Sequence, residues 1–211
     1  MKFKQIQGSL FFNTVDKTTI NDLKPFSSNE WLGKLSGKPW GARTRRDTLK
    51  KKIKGALDVL QGDTCAFCGL YLYETSPAQI EHIAPKGYHP QFMYTNNNLC
   101  LACVLCNGFE KKGDIDTISV LNPDYDQCTF TIVHPYKDEP DKHYQIANYS
   151  QGGITLHYLT SESKKSRDIF DLEGPKQIRA RGKQFMHEEL KNDPAVETLL
   201  KQILRNKYAA K

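Results

Sequence analysis

No apolar run in this 211-residue chain approaches the roughly 20 residues that a membrane-spanning helix needs. The first residues, Met1-Lys2-Phe3-Lys4-Gln5-Ile6-Gln7-Gly8, lack the long apolar stretch of a secretory signal. No phosphate-binding P-loop occurs, so any use of ATP would have to come from another chain. Internal repeats and long low-complexity segments are absent too. These absences leave a polar globular chain, and a cytosolic, bacterial-type setting is the default expectation. Thiols stay reduced there, so paired cysteines more often bind metal than form disulfides.

What is present is unevenly distributed. Residues 1–64 hold 13 Lys and Arg against 6 Asp and Glu, residues 65–160 hold 5 against 10, and residues 161–211 hold 12 against 8. An acidic centre between basic flanks suits cation binding, and a nucleic-acid substrate would rely on the flanks for attraction. The chain divides accordingly into four parts. Residues 1–60 form an irregular and basic helical segment, 61–113 a core, 114–160 a β-rich extension and 161–211 a helical tail.

Within the first part, residues 1–40 read as irregular, with Trp31 and Trp40 packing them onto the rest. Leu49, Ile53, Ala56, Leu57 and Leu60 give residues 42–60 one apolar helical face, and Gly62-Asp63 ends it. Gln79–Ile83 and Asn98–Leu101 read as short strands flanking an irregular loop. A helix is expected from about Cys103 to Lys111, stopped by Gly113. Thr129–Val133 and Ile154–Leu159 read as further strands, with a turn at Gly152-Gly153. The tail reads as helices broken near Gly174-Pro175 and Asp193-Pro194. The fold class expected is α+β, with a ββα core.

The core carries the chemistry. Cys65 and Cys68 form one Cys-x-x-Cys pair and Cys103 and Cys106 a second, with thirty-four residues between them. Two such turns complete a tetrahedron around one Zn²⁺, and four thiolates leave no open position, so this zinc is expected to be structural. Cys100 and Cys128 read as packing residues. Between the pairs stand Glu81-His82 and Asn98-Leu99, and Asn107 follows the last cysteine. Glu81 and His82 point to opposite faces of a regular strand, so serving one site needs a bend or a strand end. Asn98 could orient the imidazole, and the expected helix could carry Asn107 towards Glu81.

Glu81-His82, Asn98-Leu99 and Cys103-Val104-Leu105-Cys106-Asn107 together resemble the HNH (ββα-metal) endonucleases in their zinc-stapled form. The resemblance covers roughly residues 61–113. It implies that His82 is the general base, that Asn98 holds it, and that Glu81 and Asn107 bind a catalytic Mg²⁺ or Mn²⁺. The substrate would be DNA, with RNA also open, cut to 5′-phosphate and 3′-hydroxyl ends. Activity would fall below about pH 6 as His82 protonates. Two departures stand out: Glu81 replaces the commoner Asp, and Glu110 stands where a Lys is frequent. Ile80-Glu81-His82-Ile83-Ala84-Pro85-Lys86 and the basic helical tail Ser163–Arg181 bear a narrower similarity to HNH nucleases of anti-phage systems of the Septu and retron type, which implies a defence effector beside an ATPase partner.

Candidate phosphate contacts are Arg43, Arg45, Arg46, Lys50, Lys86, Lys111, Lys112, Arg179 and Arg181, with Ser166, Arg167 and Lys183 nearby in the tail. His134, Asp138, Asp141 and His143 form a second polar cluster, read as solvated rather than metal-binding. The competing reading of the whole chain is a zinc module that binds nucleic acid or a protein without cutting.

Overall fold

In a computed structural model, residues 3–73, 77–108, 111–146, 154–190, 193–196, 198 and 201–202 are described. The Gly152-Gly153 turn and Glu110 lie outside them. The chain opens with helix α1 (Thr14–Asp22), one turn α2 (Asn29–Leu32) and the long α3 (Ala42–Gln61). Three two-stranded antiparallel sheets follow, pairing β1 (Gln79–His82) with β2 (Leu99–Ala102), β3 (Ile118–Val120) with β4 (Thr129–Phe130), and β5 (Tyr144–Ile146) with β6 (Leu156–Tyr158). The single turn α4 (Pro140–His143) precedes β5, and α5 (Ser161–Phe170) and α6 (Pro175–Leu190) follow β6. The architecture is α+β. No helix among the described residues is long and apolar enough to cross a membrane.

α3 forms where its apolar spacing places it and buries Leu49, Ile53 and Leu57. Gly62 ends it with φ +73°, a left-handed φ that costs glycine little. Gln61, at its last turn, donates to the carbonyls of Thr64 (2.6 Å) and Leu101 (2.7 Å) and accepts from Leu101 N (2.8 Å). One side chain thus docks α3 on the outer edge of β2, where unpaired backbone groups need partners.

The amino-terminal part is more regular than expected. α1 has a reciprocal cap: Asn13 Oδ1 accepts from Asp16 N at 2.9 Å and Asp16 Oδ2 accepts from Asn13 N at 2.8 Å. That pair is visible in the sequence but stands before a weakly amphipathic stretch. Trp31 packs inward as expected. Trp40 does not: it is 96 % exposed.

A larger departure concerns the end of the core. Residues 104–106 and 111–114 form turns, with bends at 107 and 108, in place of the expected helix from Cys103 to Lys111. Cys106 N and Asn107 N both donate to Cys103 O (3.0 and 2.9 Å), which closes a tight knuckle around the cysteine pair. Asn107-Gly108 is a poor helix start, and Gly113 takes φ +45° as the chain turns back with Lys112 facing inward.

In the tail, Thr160 and Ser163 cap α5 reciprocally, Asp171 ends it in the left-handed region, and the helical break before Pro175 falls where the sequence placed it. The expected strands at 129–133 and 154–159 shorten to Thr129–Phe130 and Leu156–Tyr158.

Candidate active site and metal centre

The hairpin β1–β2 organises both candidate centres. Its register pairs Gln79 with Ala102, Ile80 with Leu101, Glu81 with Cys100 and His82 with Leu99. One end therefore leads from Ala102 into Cys103 and the cysteine cluster. The other leads from His82 through the 83–98 loop to Leu99. At about 3.3 Å per residue, the two ends lie about 10 Å apart.

At the first end, the sulfurs of Cys65, Cys68, Cys103 and Cys106 all lie within 4.8 Å of one another, and all four residues are buried. Cys68 Sγ is 3.7 Å from Cys103 Sγ. A tetrahedron with metal–sulfur bonds near 2.3 Å has edges of about 3.8 Å, so the spacing fits one ion held by four thiolates. Burial pushes the Cys68 and Cys106 thiols well up. Burial also opposes ionisation of Cys65, but hydrogen bonds from Cys103, Cys106 and Cys68 outweigh it and hold Cys65 well below its usual range. Four close thiols cannot all ionise alone, and a divalent cation removes that conflict.

The first knuckle closes through Cys65 N to Leu70 O (2.8 Å) and Gly69 N to Cys65 O (3.0 Å). α6 then braces both knuckles. Gln177 Nε2 donates to Cys106 Sγ at 3.5 Å, while Gln184 donates to Gly69 O (3.2 Å) and accepts from Tyr71 N (2.8 Å). Gln177, Arg181 and Gln184 share the buried face of the helix. Their spacing of four and three residues is legible in the sequence, but buried glutamines do not announce what they brace.

At the second end, His82 is 2 % exposed. Its Nε2 lies 3.1 Å from Met93 O, within the loop. The Trp31 ring stands edge-on to the imidazole, with centroids 4.5 Å apart. Trp31 is held in turn by α3: Arg46 Nη1 donates to its carbonyl at 2.6 Å, Lys50 Nζ does so at 3.2 Å, and the Lys50 ammonium lies 4.3 Å from the Trp31 ring. Gly33, at φ +82°, ends the Trp31 turn where a Cβ would sit 2.9 Å from the Arg46 guanidinium. Burial drives the His82 pKa well below the ordinary histidine value, the charges of Lys86 and Lys112 add to the shift, and the Met93 carbonyl opposes it. Burial thus favours the neutral imidazole, and its protonation shifts to lower pH than that of an ordinary histidine.

Asn98 hydrogen-bonds the loop rather than the imidazole. It sits in a short 3₁₀ turn just before β2 and holds the loop backbone. Its Oδ1 accepts from Ala84 N (2.7 Å), and its Nδ2 donates to Phe92 O (2.9 Å) and Ala84 O (3.2 Å). Met93, whose carbonyl faces His82, follows Phe92 in the same loop. Behind it runs a buried relay. His134 Nδ1 accepts from Tyr136 N and Lys137 N, so Nε2 carries the hydrogen towards Tyr125 Oη (2.9 Å), which donates to Asn98 Oδ1 (3.1 Å). Burial lowers the His134 pKa to about 3. The second polar cluster therefore dissolves: Asp138 caps His134 N at 2.7 Å, His143 pairs with Thr160, and Asp141 faces solvent.

Glu81 and Asn107 are engaged by other partners. Glu81 Oε1 accepts from Lys112 Nζ at 2.8 Å, and Asn107 Nδ2 donates to Gln79 Oε1 at 2.9 Å. Their oxygens are hard donors suited to Mg²⁺ or Mn²⁺, and a cation already rests on Glu81. Among the described residues, the four cysteines are the one convergent group of His, Cys, Asp and Glu ligands.

Three of the proposed phosphate contacts are buried instead. Arg46 is 7 % exposed and holds the Trp31 turn. Arg181 is 1 % exposed and donates to the carbonyls of Leu172 (2.5 Å) and Ile154 (3.0 Å). Lys112 is fully buried. Each answers backbone carbonyls or a largely buried carboxylate inside the fold. Lys111 pairs with Asp171 at 2.7 Å and Arg45 with Asp22 at 2.7 Å, and the buried Ser166 hydroxyl accepts from Val133 N (3.0 Å). Arg43 and Arg179 are exposed, and Lys50 and Lys86 partly so.

No family model matches the chain. Over 148 residues, 62 % of this chain and 72 % of the other, it is 28 % identical to a Vibrio cholerae serotype O1 biovar El Tor protein named "Retron Vc95 putative HNH endonuclease". With that relative and a four-cysteine cluster of the zinc type, the resemblance to HNH endonucleases read from the core residues stands.

Proposed function

We propose that this protein is a metal-dependent HNH endonuclease that hydrolyses phosphodiester bonds of DNA, with a structural Zn²⁺ on Cys65, Cys68, Cys103 and Cys106. The observation that carries the reading is the neutral His82 at the end of β1, its ring nitrogen facing the Met93 carbonyl and its strand neighbour Glu81 turned to a cation. A neutral imidazole fixed by a carbonyl is a competent general base for water. Asn98 holds the loop that carries Met93, and so sets the orientation of that base. Glu81 and Asn107 would hold the catalytic divalent ion, which supplies charge stabilisation at the departing 3′ oxygen.

Arg43 and Arg179, exposed on opposite basic flanks, supply the attraction that the acidic core cannot. The name of the similar Vibrio protein supports a place in a retron-type defence system, where a partner chain would supply any ATP hydrolysis. DNA is favoured over RNA, and the cytoplasm is the setting in which four reduced cysteines keep their metal.

A second reading, a module that binds nucleic acid without cutting it, draws on the sealing of His82 beneath Trp31. Plasmid cleavage by wild type and His82→Ala, with Mg²⁺ or Mn²⁺ and with EDTA, separates the two. Metal-dependent nicking lost in the variant, with zinc content unchanged, is the expected result. Cutting that survives His82→Ala would remove His82 from the role of base.

A further inference from the structure

We infer that Lys112 is the positioning residue of this site: its buried ammonium is the resident cation of Glu81 and ties that carboxylate and the backbone of His82 into one unit. The inference rests on the reading of Glu81 and His82 as functional residues, and it concerns a residue that neither the sequence nor the relative's name assigns to them.

Lys112 is fully buried, and its Nζ makes two short bonds, 2.8 Å to Glu81 Oε1 and 2.6 Å to His82 O. A lysine seldom sits so deep without a specific partner. Glu81 and His82 point to opposite faces of β1, so no single neighbour on one face can hold both side chains. Lys112 solves this by gripping the side chain of one and the carbonyl of the other. Five residues on, Thr117 Oγ1 donates to Ile83 O at 2.7 Å, so the 112–117 segment satisfies two successive carbonyls where the chain leaves β1. The other edge of the same exit is tied by Ile83 N to Asn98 O at 2.9 Å.

The described turns after Cys106 go with this placement of Lys112. The knuckle, the bends at Asn107-Gly108 and the left-handed Gly113 bring a residue only six positions after the last cysteine back under the strand. The cysteine cluster and the candidate active site are thereby joined through one short segment. An ammonium on Glu81 has two consequences. It fixes the carboxylate rotamer, and it repels a divalent ion approaching the same carboxylate. Lys112 therefore weakens ion binding at Glu81 while holding the geometry that the bound ion would use.

The test compares Lys112→Met, similar in length but neutral, with wild type, Lys112→Arg, Glu81→Gln and the double variant Glu81→Gln/Lys112→Met. Zinc content and a cooperative melt first establish folding. Mn²⁺ alone is then titrated, followed by its EPR signal, and His82 is followed through its imidazole ¹⁵N resonances. Lys112→Met is expected to bind Mn²⁺ about tenfold tighter than wild type, Glu81→Gln to lose that binding, and Lys112→Arg to stay near wild type. The His82 resonances are expected to move in Lys112→Met. If Lys112→Met unfolds through its uncompensated carboxylate, the double variant, which lacks both charges, carries the His82 comparison.

Unchanged His82 resonances in a folded variant lacking Lys112 would overturn the inference, as would Mn²⁺ binding that Lys112→Met leaves unchanged or weakens. Mn²⁺ binding absent from every protein, with His82 still responding to Lys112, would instead strike the assignment of Glu81 as an ion ligand and leave the positioning role supported.

Discussion

The two ends of the β1–β2 hairpin are built on opposite plans. At the cysteine end four identical side chains converge on one point, within 4.8 Å of one another, and the surrounding bonds only tighten that convergence. At the His82 end the candidate residues diverge, each engaged elsewhere: His82 with Met93 and Trp31, Glu81 with Lys112, Asn98 with Ala84 and Phe92, while Asn107 bonds Gln79 at the cysteine end of the hairpin. A metal staple is the same in every working state, so its ligands can be held permanently. A site that acts on a polymer must admit it, and here the groups are satisfied one by one by parts of the protein itself. Damage at the first end should therefore reach the whole fold, whereas damage at the second should redistribute local bonds.

The largest effect is expected at Cys103. Cys103→Ser removes one thiolate from the cluster and leaves three, so bound zinc should fall well below one per chain and the cooperative melt should be lost, since structural zinc binding is folding free energy of several kcal/mol or more. Atomic emission for zinc and thermal unfolding measure both. A Cys103→Ser protein with full zinc and an unshifted melt would mean the ion is not held by this cluster.

Next in size is Trp31. Trp31→Ala deletes a buried ring, at a cost of about 3–5 kcal/mol, and lifts the cover from His82 without touching the cysteines. Zinc content should hold. The His82 pKa should rise towards its ordinary range as water returns, visible in an NMR titration of the imidazole. A His82 that titrates as in wild type would show that Trp31 is not what seals it.

Acid should act on the second end before the first. His82 and His134 are both held neutral by burial, with folded pKa values below the roughly 6.5 of an unfolded chain. The unfolded state therefore binds protons first. The stability these groups permit is complete above about pH 7 and is lost as pH falls through and below 6.5. Urea unfolding should have a lower midpoint at pH 5.5 than at pH 7.5, and equal midpoints would contradict the buried, neutral assignment.

The same contrast explains what the sequence could say. Convergence by repeated residue type is local information: Cys-x-x-Cys fixes two ligands by spacing alone, and the amphipathic period of α3 fixes its face. The strands bearing Glu81, His82 and Leu99 were legible for the same reason. Divergent bonds are not local. Lys112, Arg46 and Arg181 look like any exposed cation in the sequence, and only the tertiary fold places each against carbonyls or a carboxylate shielded from water. The expected helix after Cys103 is not seen in the described residues: Asn107-Gly108 starts a helix poorly, and Lys112 instead bonds Glu81, thirty-one positions away. Trp40 shows the converse, an aromatic residue that found no partner surface among the described residues.

The smallest effect expected lies on the flanks, and it sharpens the distinction between cations that hold the fold and cations that face solvent. Arg43→Gln and Arg179→Gln together remove two exposed charges. Stability should stay within about 0.5 kcal/mol of wild type, because neither guanidinium is buried. Binding to a DNA duplex should weaken, and the slope of log affinity against log salt should fall by about 2, roughly one for each phosphate that is no longer neutralised. An unchanged slope would move the phosphate-binding face elsewhere, to Lys86 or the partly exposed Lys50. The buried Arg46 and Arg181 should behave in the opposite sense, costing stability when neutralised and leaving the salt slope of any folded variant alone. A cation's function here follows from what surrounds it rather than from its place in a basic run.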